Sequence, residues 1–243
     1  MTAENTLNLI KSAGVVGAGG AGFPTHVKLD AEVDTIIANG AECEPLLEVD
    51  QQLMKNKSIE FIKALEESRK LLSAEKAVIA LKSKYSEEIT SIKKVLKDYK
   101  NIEIFELENF YPAGDEQQIV YEVTGRIIPE GGIPLMVNTV VINIETLINI
   151  NNALNGNNLT QKYLTITGEV NNPQTLKVPL GTSLAKVIEL AGGAAVDDYK
   201  LIDGGPMMGK IVSKNDVVTK TTKGILVLPA DHKIIIDRSV PIE

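Results

Sequence analysis

The sequence predicts an α/β fold: a mainly parallel sheet flanked by helices, followed by a smaller module of two strands and a helix. Two observations carry the first part. Short apolar runs, VDTIIA, KAVIAL, IEIFEL and VNTVVI, recur along the chain, and the longer stretches between them place apolar residues at helical spacing. A third observation carries the second part: after an asparagine-rich stretch the texture changes to two strand-like runs around a polar Asn-Asn-Pro turn.

Taken in order, a short helical stretch at Asn5–Ser12 leads into VVGAGGAGFPTHVKL, and Val33–Ala38 reads as a buried strand ending at Asn39-Gly40. Asp50–Leu72 predicts one amphipathic helix, Lys76–Leu81 a strand, Ser86–Tyr99 a second helix and Ile102–Leu107 another strand. A helix begins near Asp115 after the turn-like YPAG, Val137–Ile142 is a strand that ends on Asn143, and a further helix starts at about Glu145. Asn149–Gln161 has the composition of a linker. Beyond it, Tyr163–Thr167 and Thr175–Val178 form a hairpin. Thr182 or Ser183 then caps a helix over Leu184–Leu190, which Gly192-Gly193 can end. Strand, strand, helix suggests a ubiquitin-like module. The tail holds a glycine turn, Asp203–Gly209, and an interior-looking strand, Gly224–Pro229. The expected division is 1–160 for the α/β domain, 161–212 for the small module, and 213–243 for a segment whose strand returns to the first domain.

With 243 residues, 44% of them hydrophobic, the chain can bury a substantial core. A net charge of -7 with acids and bases intermixed gives no basic footprint, so a nucleic-acid partner is not expected. No apolar run approaches the ~20 residues that span a bilayer, and the amino terminus lacks the basic and apolar regions of a leader, so a cytoplasmic location is expected. The single cysteine, Cys43, excludes an intramolecular disulfide and any four-cysteine metal or iron–sulfur site within these residues.

Gly17, Gly19 and Gly22 satisfy GxGxxG, with Glu42 and Glu44 about twenty residues on, as in a dinucleotide-binding unit. Only Val15 and Val16 precede the loop, however, and Pro24 sits where a first helical turn would be extended, which argues against an ordinary Rossmann loop. The physics survives: glycines let backbone N–H groups converge on an anion and let a flat ring approach the main chain. Lys28 adds a positive charge for a phosphate or a reduced flavin. A tight structural turn would use the same glycines.

Asn39, Glu42 and Glu44 lie just beyond one strand, Tyr111, Asp115 and Glu116 beyond another, and Asn143 at the end of a third. Open α/β sheets bind ligands there. Asp115 and Glu116 also suit a helix start, and Asn143 a helix cap. Carboxylates around Cys43 are expected to raise its thiol pKa and leave it structural. His26 has no partner with which to build a metal site or a catalytic triad, and His232 reads as surface.

GAGGAGFPTHVKL, NGAECEP, DQQLM, YPAGDE, INIETL, DGGPMMG and KGILVLP together resemble, in order and over nearly the whole chain, one flavoprotein family. It contains the FMN-carrying 51 kDa subunit of respiratory complex I and the C subunit of the Rnf electron-transport complex. Within it, VDQQLM, GGAAVDDYKLIDGGPMMG and KTTKGILVLP look most like the cobalamin reductase of propanediol-utilisation microcompartments, and a second similarity is to the Rnf-like electron-transfer protein of proline reductase systems.

The resemblance implies a flavodoxin- or Rossmann-like domain that binds FMN, with an inserted or appended β-grasp module of the soluble-ligand-binding type. It implies NADH as hydride donor, with electrons passing from the flavin to 4Fe-4S clusters and on to an acceptor, cobalamin being favoured. By motif position, Gly17, Gly19, Gly20, Lys28, Asn39, Glu42, Tyr111, Glu116 and Asn143 would hold FMN, and Phe23 and Glu44 would contact NADH. The flavin carries the chemistry, so no catalytic side chain and no protein-bound metal is expected. Implied partners are NADH and a cobalamin-processing or other electron-accepting protein, in the cytoplasm or within a microcompartment, with oligomerisation possible.

Complex I subunits carry Arg at the position of Ala18 and an aromatic pair where this chain has Leu29-Asp30, so FMN is implied more strongly than nicotinamide. Relatives of the Rnf and cobalamin-reductase type continue into a region with two four-cysteine cluster motifs, whereas these residues stop at Pro241–Glu243. The expectation is therefore an N-terminal portion or a truncated form. A different class of reading makes the chain a non-catalytic binding module whose β-grasp part docks a ligand; a third makes it an NAD-only dehydrogenase.

Overall fold

The computed structural model describes residues 2–239, so the terminal Pro241–Glu243 lies outside the described residues. The chain forms two compact units: one runs from the amino terminus to Cys43 and over Asp50–Leu159, the other comprises Glu44–Val49 and the residues from Thr160 on.

The first unit is built on four strands, β1 (Thr35–Asn39), β2 (Lys76–Lys82), β3 (Ile102–Leu107) and β4 (Thr139–Asn143), in the order β3-β2-β1-β4 and all parallel. β1 and β4 are buried at every position but the last, and β2 over its interior. Their apolar runs fit strands covered on both faces. β3 is an edge strand, and it leaves Glu103 and Glu106 exposed, one on each face of the sheet. The helices α1 (Ala3–Ser12), α3 (Val49–Asn56), α4 (Ser58–Leu71), α5 (Ser86–Leu96), α6 (Glu116–Thr124) and α7 (Ile144–Leu154) surround this sheet, and α2 (Thr25–Lys28) is a single turn. One sheet face packs Ile37, Ala80 and Val141 against Ile119 and Val120 of α6. α7 packs against α4.

Two expectations change. The helix expected over Asp50–Leu72 is broken at Lys57, whose backbone (φ −134, ψ 32) leaves the helical region. Buried Leu53 and Met54 stand two turns before buried Phe61, so the apolar stripe stays in phase across the break and periodicity does not register it. The expected linker Asn149–Gln161 is half helix. α7 continues to Leu154 with Asn149, Ile150 and Ala153 buried, and only residues 155–160 connect.

The second unit holds β5 (Gln161–Gly168), β6 (Gln174–Pro179), β7 (Tyr199–Asp203), β8 (Lys210–Val212) and β9 (Gly224–Pro229), in the order β6-β5-β9-β7-β8. β5–β6 and β7–β8 are antiparallel hairpins, and β9 lies between them, parallel to β5 and antiparallel to β7. This is the β-grasp arrangement, with α8 (Leu184–Leu190) laid over one face and capped by Ser183.

β9 corrects the sequence reading, which returned Gly224–Pro229 to the first domain. The strand is apolar on both faces because both are covered inside the second unit. Ile225 and Val227 join Leu164, Ile166, Val187 and Ile188 on the α8 side. Leu226 and Leu228 join Leu47, Ile202 and Ile235 on the other. Ile235 comes from α9 (Lys233–Ser239), and Leu47 from the short excursion Glu44–Val49. A run apolar on both faces is also what a strand of a helix-covered parallel sheet shows, so the pattern alone does not tell the two sheets apart.

Candidate functional site

In the order β3-β2-β1-β4 the direction of strand addition reverses at β1: β2 and β3 add on one side of it, β4 on the other, all four strands running parallel. Such a switch point opens a crevice beyond the carboxyl ends of the two strands. Asn39 and Asn143 end these strands and are register partners across the crevice.

The Gly17–Phe23 loop is closed at its base by the Gly17 N–H donating to the Phe23 carbonyl at 2.9 Å and by a bridge between Val16 and Pro24. Pro24 caps the single turn α2, so the loop opens no long helix. The buried Ala18 donates its N–H to Thr146 Oγ1 at 2.9 Å, which pins the loop to the first turn of α7. Among the described residues, the N–H groups of Gly19, Gly20, Ala21 and Gly22 meet no acceptor. Gly20 and Gly22 have φ of 113 and 66, a region that strains any side-chain-bearing residue. A Cβ added at Gly20 would meet nothing within 4 Å, and one at Gly19 would lie 3.7 Å from Asn143 Cβ. The loop thus presents unsatisfied amides over open space beside the switch point.

The polar groups from the strand ends are each held by hydrogen bonds of their own. Lys28 Nζ donates to Glu116 Oε1 at 2.8 Å and to the Val141 carbonyl at 3.0 Å, joining α2, the start of α6 and β4. Asn39 Nδ2 donates to the Gly114 carbonyl at 2.8 Å, while its Oδ1 accepts from Ala41 N at 3.0 Å. Gly114 N donates to Cys43 Sγ at 2.8 Å, and a Cβ there would lie 1.9 Å from the Ala41 carbonyl oxygen, so the YPAG turn has to be glycine at this point. Asp115 caps α6 through the N–H groups of Gln117 and Gln118. Asn143 caps α7, its Oδ1 accepting from Glu145 N at 2.9 Å, and donates through Nδ2 to the buried Asp50 at 2.8 Å. Burial pushes the Cys43 thiol pKa up; the Gly114 amide offsets part of this, and the neighbouring Glu42 and Asp115 carboxylates add to the rise. Burial, more than the acidic neighbours expected from sequence, therefore keeps this thiol protonated.

Of the residues named from sequence, Lys28 and Glu116 bond to each other, Asn39 bonds to Gly114 and Ala41, and Asn143 bonds to Asp50 and Glu145, while Gly19 lies beside Asn143 without a bond to it. Gly17 spends its amide on closing the loop. Glu42 is buried on the turn after β1, where its carbonyl accepts from Lys82 Nζ. Phe23 and Tyr111 are half exposed on the glycine loop and the YPAG turn. Glu44 is engaged by backbone amides. It belongs to the second unit, where its two carboxylate oxygens accept from Met207 N at 2.9 Å and Met208 N at 2.6 Å, in the loop joining β7 and β8. Thr146 and Asp50 lie inside INIETL and DQQLM but are not among the residues named for the site from sequence, because their partners lie 128 and 93 residues away.

The donor set fits a phosphorylated flavin: free loop amides and a lysine for an anion, open space above glycine for a flat ring, and amide groups for its polar edge. Residues 10–152 match the Nuo51 FMN-binding domain. The chain belongs to that family. Residues 163–210 match the SLBB domain, a span that ends before β9. The chain is 46% identical over 244 aligned residues to the cobalamin reductase PduS of Citrobacter freundii, covering 97% of this chain and 54% of that protein. It is 37% identical to the C subunit of the Na(+)-translocating ferredoxin:NAD(+) oxidoreductase complex of Acetobacterium woodii, covering 94% and 53%. The chain spans about half the length of the curated relatives it matches. A chain of an NAD+-reducing [NiFe]-hydrogenase in the H2-reduced state shares its fold, with a TM-score of 0.80 at 20% identity over 98% of this chain and 49% of the other. Among the described residues no helix is long and apolar enough to cross a membrane.

Proposed function

We propose that this chain is the FMN-holding portion of an NADH-dependent electron-transfer oxidoreductase, with cobalamin as the favoured final acceptor. The observation that carries the reading is the set of unsatisfied amides at Gly19–Gly22, held beside the β1/β4 switch point. The family match supports FMN as the group those amides serve. The identity to cobalamin reductases supports the acceptor.

When bound, FMN supplies the conversion between two-electron and one-electron transfer, and the protein supplies binding and orientation. In this reading Gly19, Gly20 and Lys28 hold the anionic end of the cofactor, and Asn39, Glu42, Glu116 and Asn143 present polar groups to its ring and side chain, with Tyr111 over the opening. Phe23, on the exposed side of the loop, is the residue offered to nicotinamide. Glu44 serves that role less well, because its carboxylate oxygens are engaged by backbone amides. In this reading an iron–sulfur relay, which one cysteine cannot build within these residues, would receive electrons from the flavin, and the protein works in the cytoplasm or a microcompartment.

Titrating the chain with FMN tests the first step: quenching of flavin fluorescence and a flavin absorbance band that survives desalting are expected, and their absence overturns the reading. Anaerobic addition of NADH to the loaded protein should bleach that band, and a band that persists removes NADH as donor. The similarity to ferredoxin:NAD(+) oxidoreductase subunits favours a second acceptor class, an electron-carrier protein. NADH-driven, flavin-dependent reduction of cobalamin or of ferredoxin distinguishes the two.

A further inference from the structure

Asp50 is only 2% exposed, in the first turn of α3 directly after the Glu44–Val49 excursion. A buried carboxylate is tolerated only when hydrogen bonded. One bond comes from Asn143 Nδ2 at 2.8 Å, and the same amide accepts from Glu145 N through Oδ1 at 2.9 Å. A carboxylate only accepts and a backbone N–H only donates, so turning the Asn143 amide over would lose both bonds and set oxygen against oxygen. The amide orientation is therefore fixed from two sides. Its oxygen points to α7 and one nitrogen-bound hydrogen to α3, which leaves the second hydrogen of Nδ2 as the group that a ligand in the crevice can use.

We propose that Asp50 is a positioning residue that forces Asn143 to offer a hydrogen-bond donor, and not an acceptor, to the cofactor at the β1/β4 crevice. The inference rests on the FMN reading above. Asn143 stands at the strand end beside Gly19, where a Cβ would come within 3.7 Å of Asn143 Cβ, so the amide borders the space over the glycine loop. The polar edge of a flavin carries carbonyl oxygens and ring nitrogens that accept hydrogen bonds, and a donor complements them. Asp50 does this without touching the cofactor.

The test is FMN binding, measured by fluorescence quenching, in D50A, D50N, N143A and the D50A/N143A double variant, with circular dichroism of each cofactor-free protein. D50A is expected to weaken FMN binding about tenfold, the worth of one well-placed hydrogen bond. D50N keeps an oxygen acceptor for Asn143 Nδ2 and should return affinity to within about threefold of the unmutated chain. N143A weakens binding by itself, and D50A on top of it should add nothing, since Asp50 acts through Asn143. If D50A binds FMN like the unmutated chain, or weakens it equally with and without Asn143, the proposal is overturned. Should D50A fail to fold, nitrogen-resolved NMR of the unmutated protein decides. FMN should move one side-chain amide proton of Asn143 and leave the one bonded to Asp50 in place; if neither moves, the proposal fails. If the unmutated chain binds no FMN at all, it is the cofactor reading that fails, and the proposal falls with it.

Discussion

Lys28 holds two protein acceptors, yet its ion pair with Glu116 is worth little to the fold, because the two side chains are 30% and 47% exposed. Exposed pairs contribute on the order of 0–1 kcal/mol, while a charge facing a bound phosphate acts at full strength only when the anion is present. K28M should therefore leave the melting temperature nearly unchanged and weaken FMN binding by about tenfold, with the loss shrinking at high salt. Parallel thermal and fluorescence titrations separate the two effects. A second residue pair governs acid behaviour. Arg126 grips both oxygens of Asp34, at 2.7 Å each, and holds that carboxyl below its ordinary pKa of 3.8; burial opposes the shift and Thr35 and Lys76 assist it. A depressed folded-state pKa adds stability that is complete above the ordinary value and is lost as pH falls through the lower one. The unmutated chain should thus lose up to about 1 kcal/mol from this pair below its ordinary value, discounted for partial exposure, and D34N should show a shallower acid limb in urea titrations.

At the scale of elements, what could be read from the sequence follows from where each signal resides. β1, β2 and β4 are legible because their apolar runs stop at polar or glycine residues, and α6 because Asp115 supplies its own cap. The β5–β6 hairpin is legible from its Asn-Asn-Pro turn. The second half of α7 is not, since asparagine content disguises a helix that is held by packing and not by propensity. β9 shows the strongest form of this limit: its sequence says that both faces are buried but not by what. The same holds for the site. Gly19, Lys28, Asn39 and Asn143 carry a residue type whose use can be read from the motif, whereas Thr146 and Asp50 sit in motifs that do not say what they bond to, since their partners are far along the chain. A chain ended at Val212 keeps the whole stretch matched to the SLBB domain but loses the strand that β5 and β7 share. It is expected to lose protection against hydrogen exchange throughout the second unit, with the first unit's strands still protected. Retained protection in β5 would show that β9 is dispensable.

At the scale of the whole molecule, the two units are not two consecutive stretches of sequence. The chain leaves the first unit after Cys43, contributes Glu44–Val49 to the second, returns at Asp50, and reaches the second again only at Thr160. Leu47 then fills part of the face of β9 that α8 does not cover, and Gly224 admits it because a Cβ there would lie 2.2 Å from Leu47 Cδ2. Residues 160–239 produced alone should therefore expose Ile202, Leu226 and Leu228, bind a hydrophobic dye and self-associate. A linked copy of residues 44–49 should suppress both effects. A monomeric, dye-silent fragment would show that the excursion is ornamental.

The bonds from Glu44 to Met207 and Met208 span 163 and 164 residues, and they set an order of events during synthesis. Glu44–Val49 leaves the ribosome early, with Leu47 apolar and nothing yet made to receive it. Its binding partners are made far later in translation. Closing so long a loop is entropically slow, and contacts of this range delay folding. The second unit thus completes only after translation has passed β9, and until then the nascent chain carries an unsheltered apolar segment, the kind of surface that chaperones hold.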